Sequence, residues 1–284
     1  EPLKPWIESY FPSTKVELAT FDAANINADL KVLWPHRQDL LNPLVFARVY
    51  LPIVFPHLDK VIYFDDDIAV QGDVSELWNL DMDGYAIAVV ESCKIKYRDH
   101  FEPRMFILNE TMSQDACYFN IGVMVVDLVA WKAGNYTARL EYWMRMHAIT
   151  PLYHSGLQGS MSIVFYDNFK RLDPMWNVCT AYLMKDLDRE KAFWDGLIRF
   201  RNKVAKQSKK WRREKSEIES EEHCNALCVC EMLNHAKALH WNGHRKPWTE
   251  DGVFKKWWDK FGVADPETVA GLSEFIERHT QDLQ

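Results

Sequence analysis

Three consecutive aspartates directly after a buried-strand pattern constrain this chain more than any other sequence feature. Residues 60–70 read KVIYFDDDIAV, with four apolar residues in a row before the acidic group. A continuous apolar run is typical of a strand that is buried on both faces of a sheet. Aspartate is unfavourable in strands, and adjacent carboxylates near a core cost free energy unless positive charge offsets them.

The spacing of these aspartates favours a shared cation. In an extended backbone, residues two apart point to the same side. Asp65 and Asp67 can therefore bind one divalent ion at the end of the strand, while Asp66 faces elsewhere. The alternative interpretation is a solvated acidic turn, and this stretch alone does not decide between the two.

Length, charge and apolar content narrow the class of protein. The chain has 284 residues, of which 48% are hydrophobic and 26% charged, as in an ordinary globular protein with one large or two small domains. A net charge of -7 disfavours a nucleic-acid-binding surface. No apolar run reaches the roughly 18 to 20 residues that span a bilayer. The sequence begins with EPL and has no signal-like segment, so we expect any leader or anchor to lie outside it.

Cysteines and glycosylation motifs favour the secretory pathway. The chain has six cysteines and two N-glycosylation sequons, which begin at Asn109 and Asn135. Cys93 and Cys117 bracket a polar segment and are candidates for a disulfide, although their spacing does not fix the connectivity.

Residues 185–231 differ in character from the rest of the chain. A basic run over residues 199–215 is followed by an acidic run over residues 217–222. This pattern predicts a solvated insertion, helical or disordered, and a basic nuclear signal is the alternative. Cysteine and histidine also cluster here, at His223, Cys224, Cys228, Cys230 and His235. Their spacing fits no Cys-x-x-Cys pattern, so a structural zinc site is disfavoured.

Apolar strand patterns alternate with helical patterns along the chain. Strands are predicted at residues 61–64, 84–90, 118–126 and 162–166 and in a short stretch that leads to His240, and helices at 128–146 and 253–261. This alternation predicts an α/β fold with a mainly parallel sheet, whose ligand sites lie at the carboxyl ends of the strands.

Asp65, Asp67 and His240 are expected at such strand ends. Two carboxylates and an imidazole suit Mn²⁺ or Mg²⁺ better than zinc, because no thiolate takes part. Lys246 and Arg48 add positive charge, so an ion with open coordination positions indicates a diphosphate ligand. The alternative for Arg48 is a surface arginine whose stem packs on apolar neighbours.

Three separated motifs resemble glycosyltransferase family 8, near the animal glycosyltransferase-8-domain-containing proteins and the plant galacturonosyltransferase-like proteins. They are FARVYLP with KVIYFDDD (residues 46–52 and 60–67), FNIGV (119–123) and HWNGHRKPW (240–248). The resemblance covers roughly residues 40–182 and 232–262. It implies a GT-A-type fold, a Rossmann-like mixed sheet flanked by helices, in a single domain over residues 1–284. The chain looks as if it starts after the first strand and helix of the family fold.

The resemblance also implies three groups of site residues. The metal ligands are Asp65, Asp67 and His240. The residues that hold the donor nucleotide-sugar are Asp66, Gly243 and Lys246. The residues that contact the transferred sugar or acceptor, and act in catalysis, are Arg48, Glu91, Asn120 and Gln158. Gln158 stands where family members that use small acceptors carry an acidic Asp-Gln-Asp-like motif, which this chain lacks.

The function implied by the resemblance is retaining transfer of a sugar from a UDP-sugar to a glycan or protein, with Mn²⁺, or alternatively Mg²⁺, as cofactor. Such enzymes act in the Golgi lumen, as type II membrane proteins in their full-length form, and no nucleic-acid partner is expected. One alternative is an inactive relative that binds a glycan or a partner protein. A metal-dependent phosphohydrolase is a less favoured alternative, because the sequence shows no set of ligands for two metal ions.

Overall fold

The computed structural model describes residues 15, 17, 19–26, 33, 38–183, 232–243 and 245–259. These residues form two compact units. The first contains the described residues up to Tyr63 together with residues 74–172, and the second contains residues 64–73 and the described residues from Asp173 onward. Both units lie within the single domain that the sequence predicts for residues 1–284, which stays a prediction.

A mixed sheet forms the centre of the first unit. Its described strands are β1 (Lys60–Phe64), β3 (Ile87–Lys96), β4 (Cys117–Asp127) and β5 (Lys170–Arg171), in the order β1-β4-β3-β5. β3 is antiparallel to β4 and parallel to β5. The resemblance implied a mixed sheet, and this is confirmed. The alternation of elements predicts a mainly parallel sheet, whereas its longest described pairing, β3 with β4, is antiparallel.

The middle of this sheet is buried without alternation. The side chains of residues 87–89 in β3 and 123–125 in β4 have 0% exposure, which requires cover on both faces of the sheet. Leu140 and Met161, which lie on helices, belong to the same apolar cluster as Val89 and Met124. The continuous apolar runs of the sequence are thus explained by helices that pack on the sheet.

Helices of the first unit surround these strands. The α-helices are α1 (Pro43–Phe46), α2 (Leu51–Val54), α3 (Ser75–Trp78), α4 (Pro103–Leu108), α5 (Leu128–Ala133), α6 (Tyr136–Ile149) and α7 (Gly156–Val164). Short 3₁₀ turns lie at Ala23–Asn25, Gln38–Leu41, Ala47–Tyr50 and Tyr97–Asp99.

The single helix predicted over residues 128–146 is divided into α5 and α6. Asp127 caps α5 by accepting a hydrogen bond from the Ala130 amide at 2.8 Å. The chain then turns at Gly134, and Asn135 has a left-handed backbone with φ of 51°. Asparagine tolerates this conformation better than most residues, so α5 ends at Gly134 and α6 begins after Asn135.

The strand predicted at residues 162–166 is wrong, because this stretch ends helix α7. Leu157, Met161 and Val164 recur at helical spacing and all belong to the core cluster. A β-carbon at position 159 would lie 2.2 Å from the Tyr153 ring, so glycine there allows α7 to approach that ring. A short apolar run does not distinguish a strand from part of a buried helix.

Cys93 and Cys117 form a disulfide that links β3 to β4, which confirms the pairing for which they were candidates. The bridge closes a separation of 24 residues, so loop entropy predicts about 3 kcal/mol of stabilisation. We expect the C93S/C117S double variant to lose about that free energy of unfolding in a denaturant titration. A reductant should destabilise the wild type more than the variant, and an equal response of the two proteins would contradict this account.

A smaller sheet lies in the second unit. Its described strands are β2 (Ile68–Val70), β6 (Val178–Cys179) and β7 (Ala238–His240), in the order β2-β7-β6. β7 is antiparallel to β2 and parallel to β6. A 3₁₀ turn at Pro174–Trp176 precedes β6, and helix α8 (Lys255–Asp259) falls within the helix predicted at residues 253–261. The buried Trp241 donates its indole N–H to the Val253 carbonyl at 2.8 Å, which ties the segment after β7 to the one before α8.

Some expectations lie outside the described residues. They include the charged insertion at residues 185–231 and, apart from His235, the residues of the zinc interpretation. Another expectation is that the chain starts after the first strand and helix of the family fold. It concerns the start of the chain, where residues 1–14 are not among the described residues. Within the described part of the chain, none of the helices combines the length and apolarity needed to cross a bilayer.

Candidate functional site

The three aspartates form the turn between β1 and β2. Asp65 follows the last residue of β1, and Asp67 precedes the first residue of β2. Asp67 is buried and Asp65 is half-buried, whereas Asp66 is exposed. As predicted, the side chains of Asp65 and Asp67 are turned towards the protein interior, whereas that of Asp66 is turned towards solvent.

Sheet register brings His240 to this turn. His240 ends β7 opposite Ile68 of β2, and the Trp241 amide donates to the Asp67 carbonyl at 2.9 Å. The Nε2 atom of His240 lies 3.2 Å from Oδ1 of Asp67 and 3.8 Å from Oδ2 of Asp65. One potential ligand atom from each of the three side chains lies within 4.8 Å of the others.

Lys246 places a second positively charged group beside Asp67. Its ammonium contacts Oδ2 of Asp67 and donates to the Trp241 carbonyl at 2.9 Å. The loop that carries it is held by Thr249, whose hydroxyl donates to the Lys246 carbonyl at 2.7 Å. Gly243 has φ of +98°, a conformation that strongly favours glycine. Of the two residues predicted to hold a diphosphate, Gly243 has this backbone conformation and Lys246 places its ammonium beside Asp67.

The protonation of these groups follows from their contacts. Burial opposes a charge on Asp67, but contact with His240 and then Lys246 outweighs it and lowers the pKa of Asp67 to about 2. Burial also opposes a charge on His240, but contacts with Asp67 and Cys179 raise the pKa of His240 to about 10. The side chain of Asp66 is exposed, but surrounding protein atoms still desolvate its carboxyl group in part, and this effect, followed by the charges of Asp67 and Asp65, raises the pKa of Asp66.

The residues present fit a divalent cation. Among the described residues, no donor makes a well-directed hydrogen bond to the buried Oδ1 of Asp67, although Nε2 of His240 is close. The positive charge beside Asp67 comes from the protonated imidazole and from Lys246. Two carboxylates and an imidazole are a donor set that suits Mn²⁺ or Mg²⁺, so an ion can replace the imidazole proton as counter-charge.

A second group of predicted site residues lies in the first unit, around residues 119–122 of β4. The β3–β4 register shifts between Val89 and Val90, where β4 carries extra residues. Gln158 on α7 binds both sides of this irregular segment, accepting from the Ile121 amide and donating to the Phe119 carbonyl, each at 3.0 Å. The Gln158 amide therefore makes backbone hydrogen bonds of the kind that a neighbouring strand would make. The sequence did not indicate this role.

Arg48 and Asn120 hold the same segment. The Arg48 guanidinium donates to the Val45 carbonyl at 3.0 Å and to the Ile121 carbonyl at 3.3 Å, and its central carbon lies 4.5 Å from the Tyr63 ring centroid. Arg48 is only 7% exposed, so the surface-arginine interpretation is wrong. Asn120 accepts from the Gly122 amide at 2.8 Å.

Glu91 lies opposite Phe119 in the β3–β4 pairing. Its carboxylate forms two hydrogen bonds with the Arg171 guanidinium, at 2.9 and 3.2 Å. Arg171 was missed by the sequence analysis, because the pair is 80 residues apart in sequence and meets through the parallel pairing of β3 and β5. Asn120 thus belongs to the irregular segment of β4, and Arg48, Glu91 and Gln158 contact or pair with it.

Asn177 was also missed, although it contacts a predicted metal ligand. Its Oδ1 lies 2.9 Å from Nδ1 of His240, and the Cys179 thiol lies 3.8 Å from the same nitrogen. A possible signal was the position of Asn177 immediately before a short apolar strand, but a lone asparagine there is also typical of a turn.

Comparison with known proteins identifies the family. The model of Glycosyl transferase family 8 matches residues 7–252. Glycosyltransferase 8 domain-containing protein 1 of Homo sapiens is 30% identical over 303 residues, covering 98% of this chain and 70% of that protein. The Danio rerio protein of the same name is 32% identical over 269 residues, covering 87% and 62%.

Solved structures show the same fold. The galactosyltransferase LgtC, in complex with donor and acceptor sugar analogues, matches with a TM-score of 0.54 at 14% identity, covering 88% of this chain and 77% of that one. A structure of an LgtC active-site mutant also has a TM-score of 0.54 at 14% identity, covering 92% and 91%. At this identity the likeness concerns the fold alone. Family match and fold agree: the chain belongs to glycosyltransferase family 8, a family of glycosyl-transfer enzymes, and has the GT-A fold.

Proposed function

We propose that this glycosyltransferase moves a hexosyl, pentosyl or uronosyl group from a UDP-sugar to an acceptor glycan or protein, with retention of configuration and with Mn²⁺. The observation that carries the proposal is the cluster of Asp65, Asp67 and His240, whose ligand atoms lie within 4.8 Å of one another. Lys246 beside it supplies the second positive group that a diphosphate needs.

The residues of the cluster have distinct tasks in this proposal. Asp65, Asp67 and His240 would hold the ion, and a bound ion would supply stabilisation of negative charge on the departing UDP. Lys246 gives up its contact with Asp67 and binds the diphosphate instead. The ammonium that balances the charge of Asp67 in the absence of donor therefore also binds the donor. Gly243 provides the turn that lets the backbone approach the phosphates. Such stabilisation of the leaving group is usually the largest contribution to transfer.

Retention is consistent with the first-unit residues. Glu91 is tied to Arg171, and Gln158 is tied to the β4 backbone, so both side chains serve positioning in this structure. Attack by the acceptor hydroxyl on the face that UDP leaves requires no protein carboxylate as nucleophile. In that step the bond from the sugar to UDP breaks, the bond to the acceptor oxygen forms, and the hydroxyl proton is released.

Hydrolysis of UDP-sugars without acceptor tests the proposal. We expect the full chain with Mn²⁺ to release UDP slowly from at least one sugar in a panel of UDP-hexoses, UDP-pentoses and UDP-uronic acids. The preferred sugar then names the donor class. A folded protein that binds UDP but hydrolyses none of the panel would instead support an inactive scaffold.

We also propose that the protein acts in the Golgi lumen and that its full-length form has an N-terminal anchor. The support is the Cys93–Cys117 disulfide, a bond typical of oxidising compartments, together with the two sequons. Asn135 is exposed, and the Asn109 side chain accepts local hydrogen bonds from the amide and hydroxyl of Thr111.

N-glycosylation follows as a testable expectation of this route. When the protein is expressed through a eukaryotic secretory pathway, peptide N-glycosidase should increase its gel mobility. The N109Q/N135Q double variant should show no such shift. These substitutions spare Thr137, whose hydroxyl bonds the Trp131 indole at 3.0 Å and the Val49 carbonyl at 2.9 Å. Secreted wild type that migrates identically with and without the enzyme would contradict the expectation.

A further inference from the structure

His240 has a polar side chain beside each of its ring nitrogens. Nε2 faces Asp67 at 3.2 Å, and Nδ1 lies 2.9 Å from the side-chain oxygen of Asn177. Asn177 is only 5% exposed. It follows the 3₁₀ turn at Pro174–Trp176 and directly precedes β6, whose Cys179 is in register with His240 of β7. The position of Asn177 is therefore fixed by the same strand pairing that positions His240.

The chemistry of this contact selects one form of the imidazole. A carbonyl oxygen only accepts hydrogen bonds, so Nδ1 must carry the proton and donate it to Asn177. Once the ring is neutral, the lone pair is then on Nε2, the atom that faces the aspartates. A histidine that binds a metal through one nitrogen is commonly fixed by a hydrogen bond from the other.

Cys179 supports this orientation of the Asn177 amide. Its thiol donates to the same Asn177 oxygen at 3.5 Å. With oxygen at this place, both the imidazole N–H and the thiol donate to it. With the amide reversed, NH₂ would donate to Nδ1, and the imidazole proton would sit on Nε2, where it competes with a cation.

We propose that Asn177 is a positioning residue that keeps the Nε2 lone pair of His240 available to the divalent ion. The inference rests on the proposed metal site and adds to it a residue that does not contact the ion. Without Asn177, the proton of a neutral His240 can occupy either nitrogen, and the remaining partner of Nδ1 described here is the weakly bonding Cys179 thiol.

Manganese binding by the full chain tests the inference without any measurement of activity. Titration with MnCl₂, followed through the electron paramagnetic resonance of free Mn²⁺, gives the dissociation constant. Asn177→Leu removes the acceptor at similar size and should weaken binding about 10- to 100-fold. Asn177→Asp keeps an acceptor oxygen and should retain affinity close to the wild-type value. Equal affinity of Asn177→Leu and wild type, or equal loss in both variants, would overturn the inference.

A matched control separates positioning from general destabilisation. Gln71→Leu removes another half-buried amide of the second unit, which donates to the Leu233 carbonyl at 3.1 Å and does not touch His240. This variant should bind Mn²⁺ like the wild type. Thermal unfolding without metal shows whether each variant is folded. If Gln71→Leu weakens Mn²⁺ binding as much as Asn177→Leu does, the effect is structural and the inference fails.

A measurement on the wild type covers the case in which Asn177→Leu does not fold. With Zn²⁺ as a diamagnetic probe, ¹⁵N–¹H correlation spectra should show His240 with its proton on Nδ1 and the metal on Nε2. A proton on Nε2, or metal on Nδ1, would overturn the inference while leaving metal binding intact. If wild type binds neither Mn²⁺ nor Zn²⁺, the proposed metal site itself fails, which is a distinct result.

Discussion

Replacing Asp67 by asparagine should weaken Mn²⁺-dependent UDP binding at least about 100-fold, a loss similar to removing a main electrostatic group from an active site. Asparagine has nearly the same shape but no charge, so the ion loses a buried anionic ligand that also faces His240 and Lys246. Calorimetric titration of UDP in the presence of Mn²⁺ measures the effect. His240→Ala should give a similar loss.

Asp173→Asn is the matched control for that variant. Asp173 lies in the same unit, accepts from the Met175 amide at 3.0 Å and pairs with Lys237 at 3.2 Å. Asparagine caps a turn about as well as aspartate, so UDP binding should stay at the wild-type level. Unchanged UDP affinity in Asp67→Asn, or equal losses in Asp67→Asn and Asp173→Asn, would contradict the assignment of Asp67.

The metal-free protein gives an independent check on Asp67. Because the fold lowers the pKa of Asp67 to about 2, the ionised carboxylate stabilises the native state by about 2 kcal/mol. This contribution is present above the unfolded-state pKa, near 3.8, and is lost as the pH falls through about 2. The wild type should therefore be more stable than Asp67→Asn at pH 6, and the difference should disappear towards pH 2.

Replacing Lys246 by methionine should separate nucleotide binding from metal binding. Methionine keeps much of the side-chain length but removes the ammonium, so UDP affinity in the presence of Mn²⁺ should fall about 10- to 100-fold through loss of a charged hydrogen-bond donor to the diphosphate. Binding of Mn²⁺ alone should be unchanged or tighter, because Lys246 no longer competes for Oδ2 of Asp67. Separate titrations with Mn²⁺ and with UDP plus Mn²⁺ measure the two effects.

Lys255→Met controls for the loss of one positive charge. Lys255 is exposed, lies in the same unit and donates to the Glu250 carbonyl at 3.2 Å. We expect its variant to bind UDP like the wild type. If Lys246→Met lost Mn²⁺ and UDP affinity to the same extent, Lys246 would be supporting the metal site rather than the diphosphate.

The acidic turn and the long strands were predictable because their signals are local. Asp65 and Asp67 are two residues apart on one short turn, so the sequence itself indicates that they share a side. β3 and β4 contain apolar runs that are too long for a strand with one face in solvent. The sequence therefore also predicted that these strands are buried. The family motif adds His240, which no local pattern connects to residue 67.

The unpredicted contacts depend on sheet register. Asn177 meets His240 across 63 residues, and Gln158 meets Ile121 across 37. Such contacts arise when strands and helices pair in three dimensions, and a shift of one residue would remove them. Helix α7 was mistaken for a strand for a different reason. A short apolar run is compatible with both structures, and the neighbouring glycines at 156 and 159 hid its helical period.

Calorimetric titration of UDP into the full chain, with Mn²⁺ and then with EDTA in its place, tests the central claim most directly. The account predicts saturable binding with Mn²⁺ that is lost with EDTA, because Asp65, Asp67, His240 and Lys246 then act as one metal and diphosphate site. UDP binding of equal strength in EDTA, or no binding by a demonstrably folded protein in Mn²⁺, would contradict it.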